Sequence, residues 1–206
     1  MTKPINVTKE QIEHTIKQMT DHLWFEKGNY NLNIIGIRNS NTGTDVTNKF
    51  DDKITLSYLI DDERHFHAFD CTTDPGKHWV ENVMNDDGVA ILVPGQYRGS
   101  HKIRLHQGRY EALGQQKPLK VYRDNNLDGS YDFDESSIQE GLFGINIHRA
   151  TKYAGKKSSQ IDRWSAGCQV IAAYDDFMQF MQICNNAKDL WGNSFTYTLI
   201  ESKDLA

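Results

Sequence analysis

The sequence predicts a strand-rich α+β domain with a mostly antiparallel sheet system. Three observations point there. Many short alternating segments are separated by Gly, Pro, Asn and Asp turns. Helical periodicity is confined to two places, near the N-terminus and after Cys168. No repeat, low-complexity tract or linker divides the chain. A length of 206 residues suits one sizeable domain, so residues 1–30 read as a helical extension and 31–206 as a single domain.

Thr8 is a good N-cap, with Gln11 three residues on in a capping-box pattern. Ile12, Ile16, Met19 and Leu23 follow at helical spacing, and Gly28-Asn29 ends the region. Residues 31–38 alternate around Leu32, Ile34 and Ile35 as a strand, and 39–44 form a polar loop. Residues 52–60 and 64–71 flank the acidic turn 61–63 and read as a hairpin. Further short strands are expected at 89–93, 100–106, 110–113 and 120–123. Pro94-Gly95 and Gln107-Gly108 break that run. A strand over 143–147 leads out of a glycine turn, and Cys168 is followed by the apolar run Val170-Ile-Ala-Ala. The last helix places Tyr174, Phe177, Met178, Met181, Cys184, Ala187 and Trp191 on one side, and Gly192 stops it. Residues 194–200 alternate as a closing strand.

The composition, 25% charged and 11% aromatic, is that of a globular chain. A net charge of −5 argues against nucleic acid as the main partner, because a phosphate-binding surface needs cationic excess. No stretch is apolar and long enough for a transmembrane helix, and Met1 to Gln11 lacks the apolar core of a signal peptide. Synthesis in the cytoplasm is therefore expected. Cys71, Cys168 and Cys184 form no spaced framework. Cys71 and Cys184 fall in apolar patterns and are expected to pack in the core.

His148 and Cys168 stand apart. They lie twenty residues from one another, His148 after a strand pattern and Cys168 in the small-residue turn Ser165-Ala166-Gly167. A thiolate is a strong nucleophile, but an ordinary thiol titrates near pH 8.5, about one and a half units above neutrality. An imidazole can take its proton and return it to a leaving amine. Backbone N–H groups of the turn around Ser165, Gly167 and Cys168 can serve the oxyanion.

The run Gly-Ile-Asn-Ile-His148 followed by Trp-Ser165-Ala166-Gly167-Cys168 resembles the active-site signature of the L,D-transpeptidase catalytic domain, the YkuD-like family. There a histidine precedes Ser/Thr-His-Gly-Cys by an interval of this length. Upstream, Thr72-Thr73-Asp74-Pro75-Gly76 and then Pro94-Gly95-Gln96-Tyr97 are similar to the family's Ser-Thr-Gly and Thr-Pro-x-Gly-x-Phe/Tyr segments. The resemblance spans roughly residues 53–171. It departs at Ala166, where the family has histidine, at Val170, where it has Asn or Arg, and at Arg149, where it has a small residue.

The resemblance implies a β-sandwich or mixed-sheet domain and acyl transfer on peptidoglycan stem peptides. Cys168 would form a thioester and His148 would act as base and then acid. An amine acceptor would give cross-linking, and water would give a carboxy- or endopeptidase. Without a leader, a wall enzyme released by a phage or delivered as a toxin is implied. Arg149, Arg163 and Arg98 are candidates to hold substrate carboxylates. The altered motif also fits a non-catalytic, calcium-stabilised wall-binding or virion protein, or a hydrolase of another amide or ester.

Two further patterns concern metals. Asp124, Asn126, Asp128, Ser130, Asp132 and Glu135 occupy positions 1, 3, 5, 7, 9 and 12 of a loop with Gly129 at position 6. That is the oxygen-ligand spacing of an EF-hand calcium loop, placed here after a strand and read as a structural site. His65 and His67 share one strand face, but no third zinc ligand accompanies them, and packing is the expected role.

Overall fold

The computed structural model describes residues 5–19, 28–84 and 86–205. Helix α1 (Lys9–Met19) begins as expected: Gln11 N–H donates to Thr8 Oγ1 and Thr8 N–H to Gln11 Oε1. Leu23 lies outside the described residues. Strand β1 (Asn33–Arg38) follows, and then the hairpin of β2 (Asp52–Ile60) and β3 (Glu63–Thr72). Asp61 and Asp62 both take positive φ, 49° and 65°, the backbone of a tight two-residue hairpin turn. A short helix, α2 (Lys77–Glu81), precedes β4 (Val89–Leu92), β5 (Gly95–His106), β6 (Tyr110–Gln115) and β7 (Leu119–Asp124). The remaining elements are β8 (Gln139–Gly141), β9 (Ile147–Arg149), β10 (Gln169–Ile171), α3 (Tyr174–Trp191) and β11 (Phe195–Glu201).

Eight strands close into one barrel in the order β1-β11-β5-β6-β9-β10-β3-β2. The expected mixed sheet is present, but it closes on itself instead of forming a sandwich. Closure is made by two parallel pairings, β1 with β11 and β9 with β10, while the other barrel neighbours are antiparallel. Strands β4, β7 and β8 form a separate three-stranded antiparallel sheet. The parallel links join segments far apart in sequence, and no turn signal announces them.

Burial on both faces explains the apolar runs. In β1, Ile34 belongs to the main core with Leu56, Phe69, Leu113, Ile147 and Leu199, while Ile35 and Ile37 pack with Ile12 of α1 and Ile200. Such two-sided strands read as continuous hydrophobic stretches. Gly36 leaves room for Tyr197, whose hydroxyl would lie 1.8 Å from a Cβ at that position. Helix α3 adds Phe177, Phe180, Met181, Cys184 and Ala187 to the main core. Each fully buried aromatic contributes roughly 2–3 kcal/mol. The buried face differs from the expected one: Phe180 and Ile183 are inside, whereas Met178 and Trp191 are exposed. Trp191 instead donates to the Asn29 carbonyl at 2.8 Å. Cys71 and Cys184 are fully buried, as expected, and no two of the three cysteines pair.

Candidate active site

The Ser165–Cys168 turn is fixed from below by a buried polar brace. Arg38 Nε lies 2.8 Å from Asp74 Oδ1, with both side chains buried, and its Nη2 donates to the Leu92 carbonyl at 2.9 Å. Asp52 accepts from the N–H groups of Asn39 and Thr73, both at 2.7 Å, and from the Thr73 hydroxyl at 2.9 Å. Burial and the neighbouring Asp74 push the Asp52 carboxyl up to about 8. This anchors residues 72–76, and Gly76 N–H then donates to the Ser165 carbonyl at 2.8 Å.

Within the turn, Ser165 Oγ donates to the Cys168 carbonyl at 2.7 Å and accepts from Gly167 N–H at 3.1 Å. The Gly167 N–H is thus engaged inside the turn. Gly167 has φ +127°, and a Cβ there would meet the Ala90 carbonyl oxygen at 2.3 Å. The turn passes too close to β4 for any other residue. Gln169, next to Cys168, points into the barrel: it accepts from Tyr197 Oη at 2.7 Å and donates to the carbonyls of Thr73 and Gly167.

Parallel pairing of β9 and β10 sets Gln169 against Ile147 and Val170 against His148. Cys168, the residue before β10, is therefore a diagonal neighbour of His148 on β9. The Cys168 thiol donates to the Gly144 carbonyl at 3.3 Å. Burial pushes the thiol up to about 11, offset in part by the Asn146 N–H directed at it. His148 Nδ1 lies 3.0 Å from the Arg149 carbonyl, which can only accept, so Nδ1 carries the proton and Nε2 bears the lone pair. Burial, and then His106, lower the His148 pKa to about 4. The resting pair at neutral pH is a neutral thiol and a neutral imidazole.

Of residues 143–147, read from sequence as a strand, only Ile147 joins one, β9, and 142–146 is irregular. Gln115 holds this segment, with Oε1 accepting from Phe143 N–H at 3.1 Å and Ile145 N–H at 3.0 Å and Nε2 donating to the carbonyls of Lys117 and Gly141. Asn146 Oδ1 accepts from Gln115 N–H at 3.0 Å, which orients its amide toward His106 Nδ1, 3.4 Å away. His106 in turn stacks on His148. Asn146 falls inside the Gly-Ile-Asn-Ile-His148 run, whereas Gln115 and His106 lie outside the signature. Gln115 shares the inward parity of Leu113 on β6, and nothing local in the sequence singles out His106.

The thiol opens into a cavity of about 460 Å³ walled by Val89, Ala90, Phe143, Gly144 and Ala166, with Arg123 at one side. Arg123 stacks over Phe143 at 4.8 Å, donates to Gln139 Oε1 at 2.9 Å and donates to the Gly88 carbonyl at 3.2 Å. It is the arginine the structure puts in this cavity. Arg98 lines a different cavity, beside Lys117 and Glu140. Arg163 sits at the surface, its carbonyl accepting from Trp79 Nε1. Arg149 lies between the rings of Tyr110, 4.1 Å, and Tyr174, 5.4 Å, and faces a groove along α3.

The acidic loop leaves the end of β7. Asn126 Nδ2 donates to Asp128 Oδ2 at 3.1 Å and to Asp132 Oδ2 at 3.3 Å. Glu135 opens a single 3₁₀ turn capped by Asp134, and its charge acts on Tyr122. Among the described residues, no three His, Cys, Asp or Glu side chains already enclose a metal position. His65 and His67 stack on Tyr58, and His67 is bonded to the Tyr58 hydroxyl at 3.1 Å, so they pack as expected.

No protein-family model, no curated protein and no solved structure matches the chain. Among the described residues no helix is long and apolar enough to cross a membrane.

Proposed function

We propose that the protein is an L,D-transpeptidase-like enzyme that performs cysteine-dependent acyl transfer or hydrolysis on peptidoglycan stem peptides. One observation carries the reading: a part-exposed thiol, in a backbone turn only glycine permits, opens into a cavity and lies one strand from a neutral histidine. Cys168 Sγ attacks the carbonyl carbon before a terminal D-residue, and its proton passes to His148 Nε2. The tetrahedral oxyanion collapses, the C–N bond breaks, and the leaving amine takes the proton back from His148. The thioester is then cleaved by an amine, which gives a cross-link, or by water, which gives a shortened peptide. Arg123, at the cavity wall, supplies a guanidinium for a substrate carboxylate. Such an enzyme would meet its substrate at the cell wall after release or delivery.

The test is incubation of purified wall fragments with wild type and Cys168→Ala, followed by mass spectrometry. Shortened or newly linked stem peptides made only by wild type support the reading, and identical spectra sink it. The second reading, a wall-binding protein that retains the fold without the reaction, draws on the thiol's bond to the Gly144 carbonyl and its raised pKa. It requires co-sedimentation with wall sacculi equally by both proteins and no change in the fragments.

A further inference from the structure

Asp124, the last residue of β7, is 2% exposed, yet its Oδ2 has no hydrogen-bond partner. A buried carboxylate oxygen without a donor needs a proton or a cation. The carboxyl faces the loop that follows it. The N–H groups of Asp132 and Asn126 and the charges of Asp132 and Asp128 act on it there. The same two carboxylates flank the Asn126 amide. Gly129 has φ +83° with nothing within 4 Å of a Cβ, so the chain turns sharply there in open space. Four oxygen-bearing side chains therefore come from one loop, and one of them is buried with an unsatisfied oxygen.

We propose that this loop binds one calcium ion through Asp124, Asn126, Asp128, Asp132 and the Ser130 carbonyl, and that the ion braces the wall of the Cys168 cavity. Binding requires the Asn126 amide to turn its oxygen inward and the carboxylates to close by a side-chain movement. Glu135, position 12 of the motif, stands outside this set. Hard oxygens, three negative charges and irregular geometry suit calcium better than magnesium, which demands near-octahedral ligands and keeps its water. The bracing follows from the pairings around the loop. Asp124 pairs with Val89 of the cavity wall, Asp45 bridges Ser130, and Tyr131 donates its N–H to the Thr44 carbonyl at 2.8 Å and its hydroxyl to the Pro75 carbonyl at 2.6 Å.

The experiment does not depend on the reaction at Cys168. Full-length protein stripped with chelator is titrated with calcium chloride by calorimetry, with magnesium chloride as comparator. Thermal melting and hydrogen exchange are followed in parallel. Expected are one saturable calcium site, weaker magnesium binding, a raised melting temperature, and slower exchange over residues 44–46 and 88–91. Asp128→Ala and Asn126→Ala, both exposed and checked for an unchanged circular dichroism spectrum, should each weaken calcium binding at least tenfold. No saturable heat up to about 10 mM calcium, above the range of weak extracellular sites, overturns the proposal. So does full affinity in Asp128→Ala, or magnesium binding as tight as calcium.

Discussion

His106 stacks on His148 with ring centroids 4.3 Å apart and an interplanar angle of 22°. Two imidazoles in that contact cannot both be charged, and burial lowers the pKa of each. The signature supplies one histidine near the cysteine, and the fold supplies a second from the end of β5. That second ring stands in a cluster with Asn146 and Gln115 that fixes its tautomer.

The first prediction concerns acid stability. His148 and His101 both titrate at about 4 in the native state, against about 6.5 for an unfolded histidine. Below pH 6.5 the unfolded chain binds protons that the native state refuses. The stability these neutral histidines contribute is thus fully present above 6.5 and is lost as the pH falls to about 4. Asp52, raised to about 8, acts in the opposite sense: its contribution is present at low pH and fades as the pH rises through 8. Urea unfolding from pH 7 to 4 should show His148→Asn losing less stability than wild type, by up to about 1.4 kcal/mol per pH unit. Parallel curves for the two proteins would contradict this.

Thiol chemistry should single out Cys168. Cys71 and Cys184 are fully buried with raised pKa values, and only Cys168 opens into a cavity. Native protein exposed to iodoacetamide should take up one label, at Cys168. The rate should be slow at pH 7 and climb about tenfold per pH unit toward 10, as the thiolate fraction grows. Intact mass and a peptide map read the result. Rapid labelling at pH 7 would place the resting thiolate far below the pKa of about 11.

Gly167→Ala should destabilise the fold by about 3 kcal/mol, because it combines a strained left-handed φ with a contact at 2.3 Å to the Ala90 oxygen. Gly108→Ala, at φ +70° with no neighbour within 4 Å, should cost only about 1 kcal/mol. Equal losses in denaturant unfolding would mean that the close approach to β4 is relieved by a small shift.

Gln115→Ala should cost about 3 kcal/mol by orphaning the N–H groups of Phe143 and Ile145. It should also change the alkylation rate of Cys168, because the Gly144 carbonyl that binds the thiol belongs to the same segment. A stability loss with no change in that rate would separate the two.

Arginine substitutions discriminate among the candidates for substrate carboxylate binding. If the enzyme acts on stem peptides, Arg123→Ala should raise KM about tenfold or more, the loss of one charge-assisted hydrogen bond. Arg98→Ala, in a separate cavity, should leave KM unchanged. The opposite pattern would move the binding site away from the β4–β7 wall.

Much of this architecture was legible because local rules dominate it. The Thr8–Gln11 cap, the β2–β3 hairpin and the stop of α3 at Gly192 follow from side-chain capping, alternation and glycine conformation. Barrel closure was not legible, since the parallel partners Ile34–Tyr197 and Val170–His148 meet through topology alone. The wiring around the cysteine divided along the same line. Cys168 and His148 carried a recognisable spacing. Arg123, His106 and Gln115 reach the site from β5, β6 and β7, and nothing in their own neighbourhoods marks them. The arginines close to the signature in sequence, Arg149 and Arg163, were directed elsewhere by the chain's path.

The parallel seam between β1 and β11 has a consequence for synthesis on the ribosome. A strand formed from residues 33–38 must wait for residues 195–201 before its second edge is covered. Until then both β1 and β5 present unpaired backbone to solvent, with β1 carrying apolar side chains on both faces. The nascent chain therefore gains by holding α1 against the outer face of β1 early. Closure of the barrel should be slow and should wait for β11, which acts as the latch.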